Sequence, residues 1–220
     1  MNRPLLITDC DEVLLHMVRH FADWVDEAHG LSFALDAPGF RNALRERESG
    51  ELVPEERVWP LLGGFFETEM HRQNIVPGAA EALQVIGNVA DIVILTNIPD
   101  EFQPRRAQQL AGFEIQHRVL CNRGGKGRPV AELLDALSPS VAVFIDDLPV
   151  HHESVAKYAP QVWRLHMVAE PDMACHIAPA PHAHARIDDW RAAQQWIMSR
   201  FEEGPPRLDQ AGREVFTASP

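Results

Sequence analysis

Two acidic residues that directly follow a short apolar run are the first feature of this sequence that could carry chemistry. The run 5–8 ends in Asp9 and Asp11, with Glu12 beside them. A carboxylate can attack phosphorus and form an aspartyl-phosphate, which divides one difficult displacement into two easier ones. A second carboxyl group two residues along can protonate the leaving alkoxide and then activate water. The pattern therefore indicates Asp9 as a nucleophile and Asp11 as a general acid and base.

Polar side chains with a matching chemistry follow at two later points of the chain. Thr96 ends the apolar run 91–96 and is followed by Asn97, and Lys126 lies among three glycines in "GGKG". Hydroxyl and amide groups can bind a phosphate, and a lysine can offset the negative charge that grows in a phosphoryl-transfer transition state. Thr96, Asn97 and Lys126 are therefore the candidate substrate contacts, and Thr96 and Lys126 are also candidate catalytic residues.

A second pair of acids, Asp146 and Asp147, ends the apolar run 141–145. Magnesium prefers oxygen ligands and commonly keeps some of its waters, so carboxylates from two strand ends can hold it and leave positions for a substrate. Asp9 and Asp146 are the natural direct ligands in this interpretation. The acids could instead cap helices or lie in solvent at strand ends, as aspartate often does in loops.

The elements that must position these residues are indicated by short apolar runs that alternate with helical patterns, which is typical of a parallel sheet. The predicted strands are 5–8, 91–96, 141–145 and 161–168, with a weaker one at 117–122. Ligands of open parallel sheets bind beyond the carboxyl ends of the strands. We therefore expect an α/β fold of the flavodoxin-like or Rossmann-like type, with three layers and the candidate residues in one crevice.

A long insertion separates the first two strands. Apolar residues recur at helical spacing in it, and its length exceeds that of a simple crossover connection. We expect a discontinuous core domain of residues 1–13 and 74–202, a small α-helical cap domain of residues 14–73, and a flexible tail of residues 203–220. The last helix of the core is predicted at 188–201. The cap should move about the two crossings 13–16 and 73–77, exclude water and select the substrate.

Composition restricts the class of partner. Acids exceed bases by 12 among 220 residues, so the net field repels nucleic acid and anionic membrane surfaces. No stretch approaches the ~18 apolar residues of a membrane span, and the N-terminus lacks a secretory pattern. Three cysteines make an odd number without metal-type spacing, which fits reduced thiols. We expect a cytoplasmic protein, monomeric or homodimeric, that binds neither nucleic acid nor membrane.

In chain order, "DCDEV", the strand end at Thr96, Lys126 and "DD" resemble the four motifs of the haloacid dehalogenase superfamily of hydrolases, over about residues 4–170. The resemblance implies a flavodoxin-like fold with a mobile cap and Mg²⁺ as the cofactor. It implies a role for each motif residue: Asp9 as nucleophile, Asp11 as general acid and base with its backbone carbonyl on the metal, Thr96 as phosphate ligand, Lys126 as the neutralising cation, Asp146 as metal ligand, and Asp147 as a ligand through water or a partner of Lys126.

Within this superfamily the dehalogenase and phosphonatase branches lack an aspartate where this chain carries Asp11, so the resemblance favours the phosphatase branch. Glu12 and Val13 stand where many relatives have glycine and threonine. The predicted function is a magnesium-dependent phosphatase that hydrolyses a small phosphorylated metabolite through an aspartyl-phosphate. Two alternatives stay open: a non-catalytic phosphate-binding or interaction module, and a phosphotransferase that uses the same intermediate.

We expect structural roles for most of the other polar and apolar residues that could be considered functional. The histidines of the loop 176–184 are explained by loop composition better than by metal binding. His151 and His152 follow the strand 141–145 and could approach the crevice, but we expect them on a helix surface. Cys10 should point away from the site, because side chains alternate along an extended chain. Four basic cap residues could bind a remote anion of the substrate or lie in solvent: Arg19, His20, Arg45 and Arg47. Exposed apolar positions such as Trp59 or Phe65 could instead support a dimer.

Overall fold

A computed structural model describes residues 2–37 and 39–209 of the chain. Its strands are β1 (Leu5–Thr8), β2 (Leu31–Phe33), β3 (Leu44–Glu46), β4 (Asp91–Thr96), β5 (Arg118–Cys121), β6 (Ala142–Asp146), β7 (Trp163–His166) and β8 (Ala185–Arg186). Its α-helices are α1 (Val18–His29), α2 (Glu55–Thr68), α3 (Ala79–Gly87), α4 (Gln103–Ala111), α5 (Gly127–Leu137), α6 (Pro149–Tyr158), α7 (Pro171–Ala174) and α8 (Trp190–Glu203).

Six of the strands form one parallel sheet in the order β5-β4-β1-β6-β7-β8. By position in the chain this is the order 3-2-1-4-5-6 of Rossmann-type sheets. Alternate residues of β1 pack on opposite faces: Leu6 joins a core with α3, α4 and α8, whereas Leu5 and Ile7 join a core with α5 and α6. The predicted three-layer α/β fold is therefore confirmed.

The segment 14–73 contains α1 and α2, as the helical spacing predicts, but it also contains an antiparallel hairpin of β2 and β3 that the sequence analysis missed. A third apolar cluster fills this segment, and Ile98 from the loop after β4 belongs to it. The segment therefore packs against the carboxyl end of the sheet. Phe65 is fully buried in this cluster, so its prediction as an exposed residue is wrong, whereas Trp59 is exposed.

The two crossings between this segment and the core are paired with each other. The His16 amide donates to the Asn74 carbonyl over 2.9 Å, and the Val76 amide donates to the Leu14 carbonyl over 2.8 Å. The buried indole of Trp190 donates to the Val13 carbonyl over 2.8 Å. We call the residues 13–16 and 73–76 the joint.

The predicted strands 5–8 and 91–96 agree with β1 and β4 residue for residue, and 141–145 and 161–168 correspond to β6 and β7. The weak strand at 117–122 is β5, whereas the two-residue β8 was missed. The tail predicted at 203–220 falls largely on residues 210–220, which lie outside the described residues. Across the ranges 2–37 and 39–209, no helix is both long and apolar enough to cross a membrane.

Candidate active site

The sheet brings the two pairs of acids together where its strand order reverses. Asp9 directly follows β1, Asp146 ends β6, and these strands are neighbours in the sheet. The Asp9 amide donates to the Ile145 carbonyl over 2.9 Å, which continues the pairing beyond the end of β1. Ligand sites of doubly wound sheets lie at this kind of reversal. The convergence expected from the sequence is present for Asp9 and Asp146.

Lys126 lies between these acids and contacts both. Its Nζ is 2.8 Å from Asp9 Oδ1 and 2.6 Å from Asp146 Oδ2, and its side chain has no exposed surface. Asp9 Oδ1 also accepts a hydrogen bond from the Cys10 amide over 2.7 Å. One buried cation is thus shared by two buried carboxylates, an arrangement that holds both carboxylates in place.

Gly125 and Gly127, the two glycines that flank Lys126, are explained by the close approach of α6. A Cβ atom at Gly127 would lie 2.1 Å from the Ser154 carbonyl oxygen, and one at Gly125 would lie 2.6 Å from Ser154 Oγ. The Gly127 amide donates to Ser154 Oγ over 3.0 Å. No larger residue fits without displacing α6. The glycines therefore let the start of α5 sit deep enough for Lys126 to reach the acids.

Burial and charge give the acids of this cluster different pKa values. Burial raises the pKa of Asp9 to about 7, with Lys126 opposing the shift. Burial also acts to raise the pKa of Asp146, but Lys126 together with His151 and His152 outweighs it and holds this pKa below its usual value. Burial and the neighbouring Asp146 hold the pKa of Asp147 well above its ordinary range.

The donor set of this cluster fits a hard divalent cation. Asp9, Asp146 and Asp147 each place one carboxylate oxygen within 4.8 Å of the others. If all three were ionised, their negative charge would exceed the positive charge of the one lysine, and oxygen ligands are those that Mg²⁺ prefers. A bound cation would favour the ionised form of each carboxyl group.

Asp11 lies next to this cluster, but its carboxylate is paired with a residue that the sequence analysis did not consider. Nη2 of Arg106, from α4, donates to Asp11 Oδ1 over 2.9 Å and to Oδ2 over 3.1 Å. Gln73 Nε2 donates to Oδ1 over 2.6 Å, and the Thr96 hydroxyl is 3.5 Å from Oδ2. Both carboxylate oxygens therefore accept hydrogen bonds, in contrast to the unengaged acid expected of a proton shuttle.

Arg106 is fully buried and links Asp11 to the joint. Its Nη1 donates to Gln73 Oε1 and to Gln109 Oε1, each over 3.1 Å, and its guanidinium carbon lies 5.6 Å from the ring centre of Phe66. The one signal in the sequence was the helical spacing of Arg106 and Leu110, which are the buried residues of α4. An arginine on the apolar face of a helix requires a buried acidic partner.

Thr96 is fully buried at the end of β4, where its hydroxyl faces Asp11. Asn97 is exposed and contacts the glycine loop instead of the acids: its Nδ2 donates to the Gly124 carbonyl over 2.9 Å, and its Oδ1 accepts from Asn122 over 2.8 Å. Thr96 and Asn97 thus occupy the crevice and its rim respectively, and their assignment as substrate contacts stays a prediction.

The expectation that His151 and His152 lie on a helix surface is wrong, because both are buried in α6 against the sheet. His152 Nε2 lies 3.0 Å from the Asp146 carbonyl oxygen, and His151 Nε2 lies 3.4 Å from the amide nitrogen of Asn97. In the loop 176–184, His184 Nδ1 accepts from the Arg164 amide over 2.9 Å. Cys10 is fully buried and belongs to the core cluster that contains Leu6.

The four basic residues of the segment 14–73 considered above have partners within the protein. Arg19 Nε donates to Glu170 Oε2 over 2.5 Å, and His20 Nε2 lies 2.6 Å from Asn74 Oδ1. Arg47 forms an ion pair with Asp26, and Arg45 donates to the Gly50 carbonyl. A role for these residues in binding a substrate anion stays a prediction.

No protein-family model and no functionally curated protein matches the chain. Solved structures match it over most of both chains. A haloacid dehalogenase family hydrolase of Deinococcus radiodurans, solved with bound phosphate and sodium, has a TM-score of 0.65 and 14% identity, covering 89% of this chain and 95% of its own. A predicted phosphoglycolate phosphatase of Haemophilus somnus has a TM-score of 0.63 and 16% identity, covering 89% and 97%.

A haloacid dehalogenase-like hydrolase of Streptococcus pneumoniae gives a TM-score of 0.61 at 10% identity and covers 88% of this chain and 97% of its own. At this level of identity the likeness concerns the fold. This chain has the haloacid dehalogenase-like hydrolase fold, as the four motifs predicted.

Proposed function

We propose that this chain, whose fold is that of the haloacid dehalogenase-like hydrolases, is a phosphatase that hydrolyses a small phosphorylated metabolite and requires Mg²⁺. The observation that carries the proposal is the buried cluster of Asp9, Lys126 and Asp146 at the reversal of the strand order. A protein that only bound phosphate would gain nothing from two carboxylates at this position, because they repel an anion. A phosphatase uses one of them as its nucleophile.

The proposed reaction begins with the Asp9 carboxylate. One of its oxygens forms a bond to phosphorus while the ester bond between phosphorus and the substrate oxygen breaks, and Asp11 gives a proton to the leaving oxygen. Asp11 then takes a proton from water, whose oxygen attacks phosphorus and releases phosphate and Asp9. Mg²⁺, held by Asp9, Asp146 and Asp147, would supply positive charge that reduces the repulsion between carboxylate and phosphate. Lys126 adds a second positive charge and keeps Asp9 oriented.

The contacts of Asp11 add a requirement to this sequence of steps. Its carboxylate must leave Arg106 before it can exchange protons with a substrate or water, since both oxygens accept hydrogen bonds from the pair Arg106 and Gln73. Gln73 lies in the joint, so a movement of the segment 14–73 would change the position of one of these donors. We propose that closure of the cap releases Asp11, excludes water and selects the substrate.

The experiment is phosphate release from a panel of phosphorylated sugars, acids and nucleotides, with Mg²⁺ and with excess chelator. We expect turnover that depends on Mg²⁺ and is abolished by Asp9→Asn. Asp91→Asn is the matched control, because Asp91 is an exposed aspartate at the opposite end of the same sheet and pairs with Arg3. Full activity of the Asp9 variant, or full activity in excess chelator, would refute the proposal.

The same panel separates the two alternatives. A phosphotransferase would release little phosphate with or without an added alcohol. It would instead pass the phosphoryl group to that alcohol, and mass spectrometry would find the phosphorylated acceptor. A binding module would bind a phosphorylated compound without consuming it. In the Asp11→Asn variant, hydrolysis of the intermediate should fail, so a covalent phosphate should accumulate on Asp9. A phosphate found on any other residue would refute the assigned roles.

A further inference from the structure

A second group of acidic and imidazole side chains lies at the joint, apart from the cluster of Asp9, Asp146 and Asp147. Glu12 immediately precedes the joint, His16 belongs to it, and Glu170 comes from the loop after β7. Each places one potential ligand atom within 4.8 Å of the others. All three side chains are buried, with exposures of 2%, 4% and 3%. Residues of the joint and of the core thus meet around one buried point.

Two polar atoms of this group lack hydrogen-bond partners among the described residues. Glu12 Oε1 accepts from the amides of Met17 and Val18 over 2.7 and 2.6 Å, but Glu12 Oε2 has no partner. His16 Nδ1 also has none, and lies 3.7 Å from Glu170 Oε2. Burying an oxygen or nitrogen without a partner is unfavourable. Both atoms could therefore bind a cation or a hydrogen-bonding group.

The charges around this point also favour a bound cation. Glu170 pairs with Arg19, whose side chain is 42% exposed, and the buried Glu12 places a second carboxyl group close to Glu170. Glu12 adopts a φ of 59°, a left-handed conformation that is unfavourable for residues other than glycine.

We propose that Glu12, His16 and Glu170 form a second metal site, which binds a divalent transition metal, with Zn²⁺ as the best match. One imidazole nitrogen and two carboxylate oxygens are a donor set that suits Zn²⁺, whereas Mg²⁺ prefers oxygen ligands alone. Arg19 would share Glu170 with the metal or move outward, since its guanidinium reaches solvent. The metal would tie the joint to the loop after β7, so its occupancy would restrict movement of the cap.

The experiment measures metal binding by the full chain after removal of all metals by chelation. Equilibrium dialysis against Zn²⁺ is carried out in a large excess of Mg²⁺, which competes at the carboxylate cluster, and the bound Zn²⁺ is counted by mass spectrometry. We expect one Zn²⁺ per chain. Glu12→Gln and His16→Gln should each weaken this binding at least about tenfold. Glu12→Gln keeps the oxygen that caps α1, so this variant retains the contact that orients the helix.

Two control variants test where the metal sits. Asp146→Asn damages the carboxylate cluster, and His176→Gln removes an exposed histidine of the loop 176–184. Both should still bind one Zn²⁺, and X-ray absorption of the Asp146→Asn protein should show one nitrogen ligand, oxygen ligands and no sulfur. The proposal is overturned if the wild-type chain binds no Zn²⁺ under these conditions. It is equally overturned if His16→Gln binds as tightly as wild type, or if binding is lost in either control.

Discussion

The ion pair between Arg106 and Asp11 allows a quantitative test of the candidate site, because its partners differ in burial. Arg106 is fully buried, whereas 16% of the Asp11 side chain reaches solvent. Removing one partner of a buried pair costs about 3–5 kcal/mol, since the other charge is left uncompensated. For Arg106→Met we expect the free energy of unfolding to fall by about 3 kcal/mol, the lower end of this range, because water reaches the remaining Asp11 carboxylate.

Asp11→Asn should destabilise the protein at least as much as Arg106→Met, although it is the smaller chemical change. Oδ1 of Asp11 accepts from Gln73 and Arg106, and Oδ2 faces Arg106 and Thr96. Whichever oxygen becomes an amide nitrogen, a donor then faces donors, and the buried guanidinium cannot lose its proton. In the double variant no buried charge is left without a partner, so the double variant should be about 2 kcal/mol more stable than the sum of the single effects predicts.

The assay is urea unfolding of wild type, both single variants and the double variant in excess chelator, followed by tryptophan fluorescence and by circular dichroism. Coincidence of the two probes checks that unfolding is two-state. Arg105→Met is the control. Arg105 is the neighbour of Arg106 but lies on the exposed side of α4, so this variant should change the free energy of unfolding by no more than about 0.5 kcal/mol. Additive single effects, or an Asp11→Asn variant as stable as wild type, would show that the pair does not hold Asp11.

Three further predictions concern the surroundings of the acids. Gly127→Ala should destabilise the protein by about 3 kcal/mol in urea unfolding, because its Cβ meets the Ser154 carbonyl, whereas Gly63→Ala in α2 meets nothing within 4 Å and should be neutral or stabilising. Lys126→Met should lower kcat for phosphate release by about 10²–10³-fold, and a loss below tenfold would contradict a role in charge stabilisation. Burial lowers the pKa of His152 from 6.5 to about 4, so the stabilisation from the neutral imidazole is present above pH 6.5 and is lost as the pH falls towards 4. In His152→Gln, the change in the free energy of unfolding over this pH range should be smaller by on the order of 3 kcal/mol. Equal slopes of this free energy against pH in wild type and His152→Gln would contradict the lowered pKa of His152.

The positions of the acids in the fold could be predicted from the sequence because the features that set them are local. The runs of β1 and β4 are continuously apolar, and each ends at a polar residue, so their bounds follow from composition alone. Parallel strands end at one edge of a sheet, which places Asp9 and Asp146 on the same edge. That they are neighbours there follows from the pairing of β1 with β6, which the structure shows. The four motifs in order then indicate the fold that the comparison structures share.

Other features could not be predicted because they depend on residues far apart in the chain or on very short elements. Strands β2 and β3 have three residues each, too few to show an alternating pattern. His151 and His152 have a polar composition typical of a helix surface, but α6 packs that face against the sheet.

The environment of Asp11 and Glu12 was likewise decided by the tertiary structure alone. Arg106 is 95 positions from Asp11, and Glu170 is 151 positions from Arg19. A sequence shows which side chains can ionise, because that is a property of each residue. Which charges share a buried place depends on the packing of α4 and the joint against the sheet, since burial makes an unpaired charge costly and a paired one tolerable.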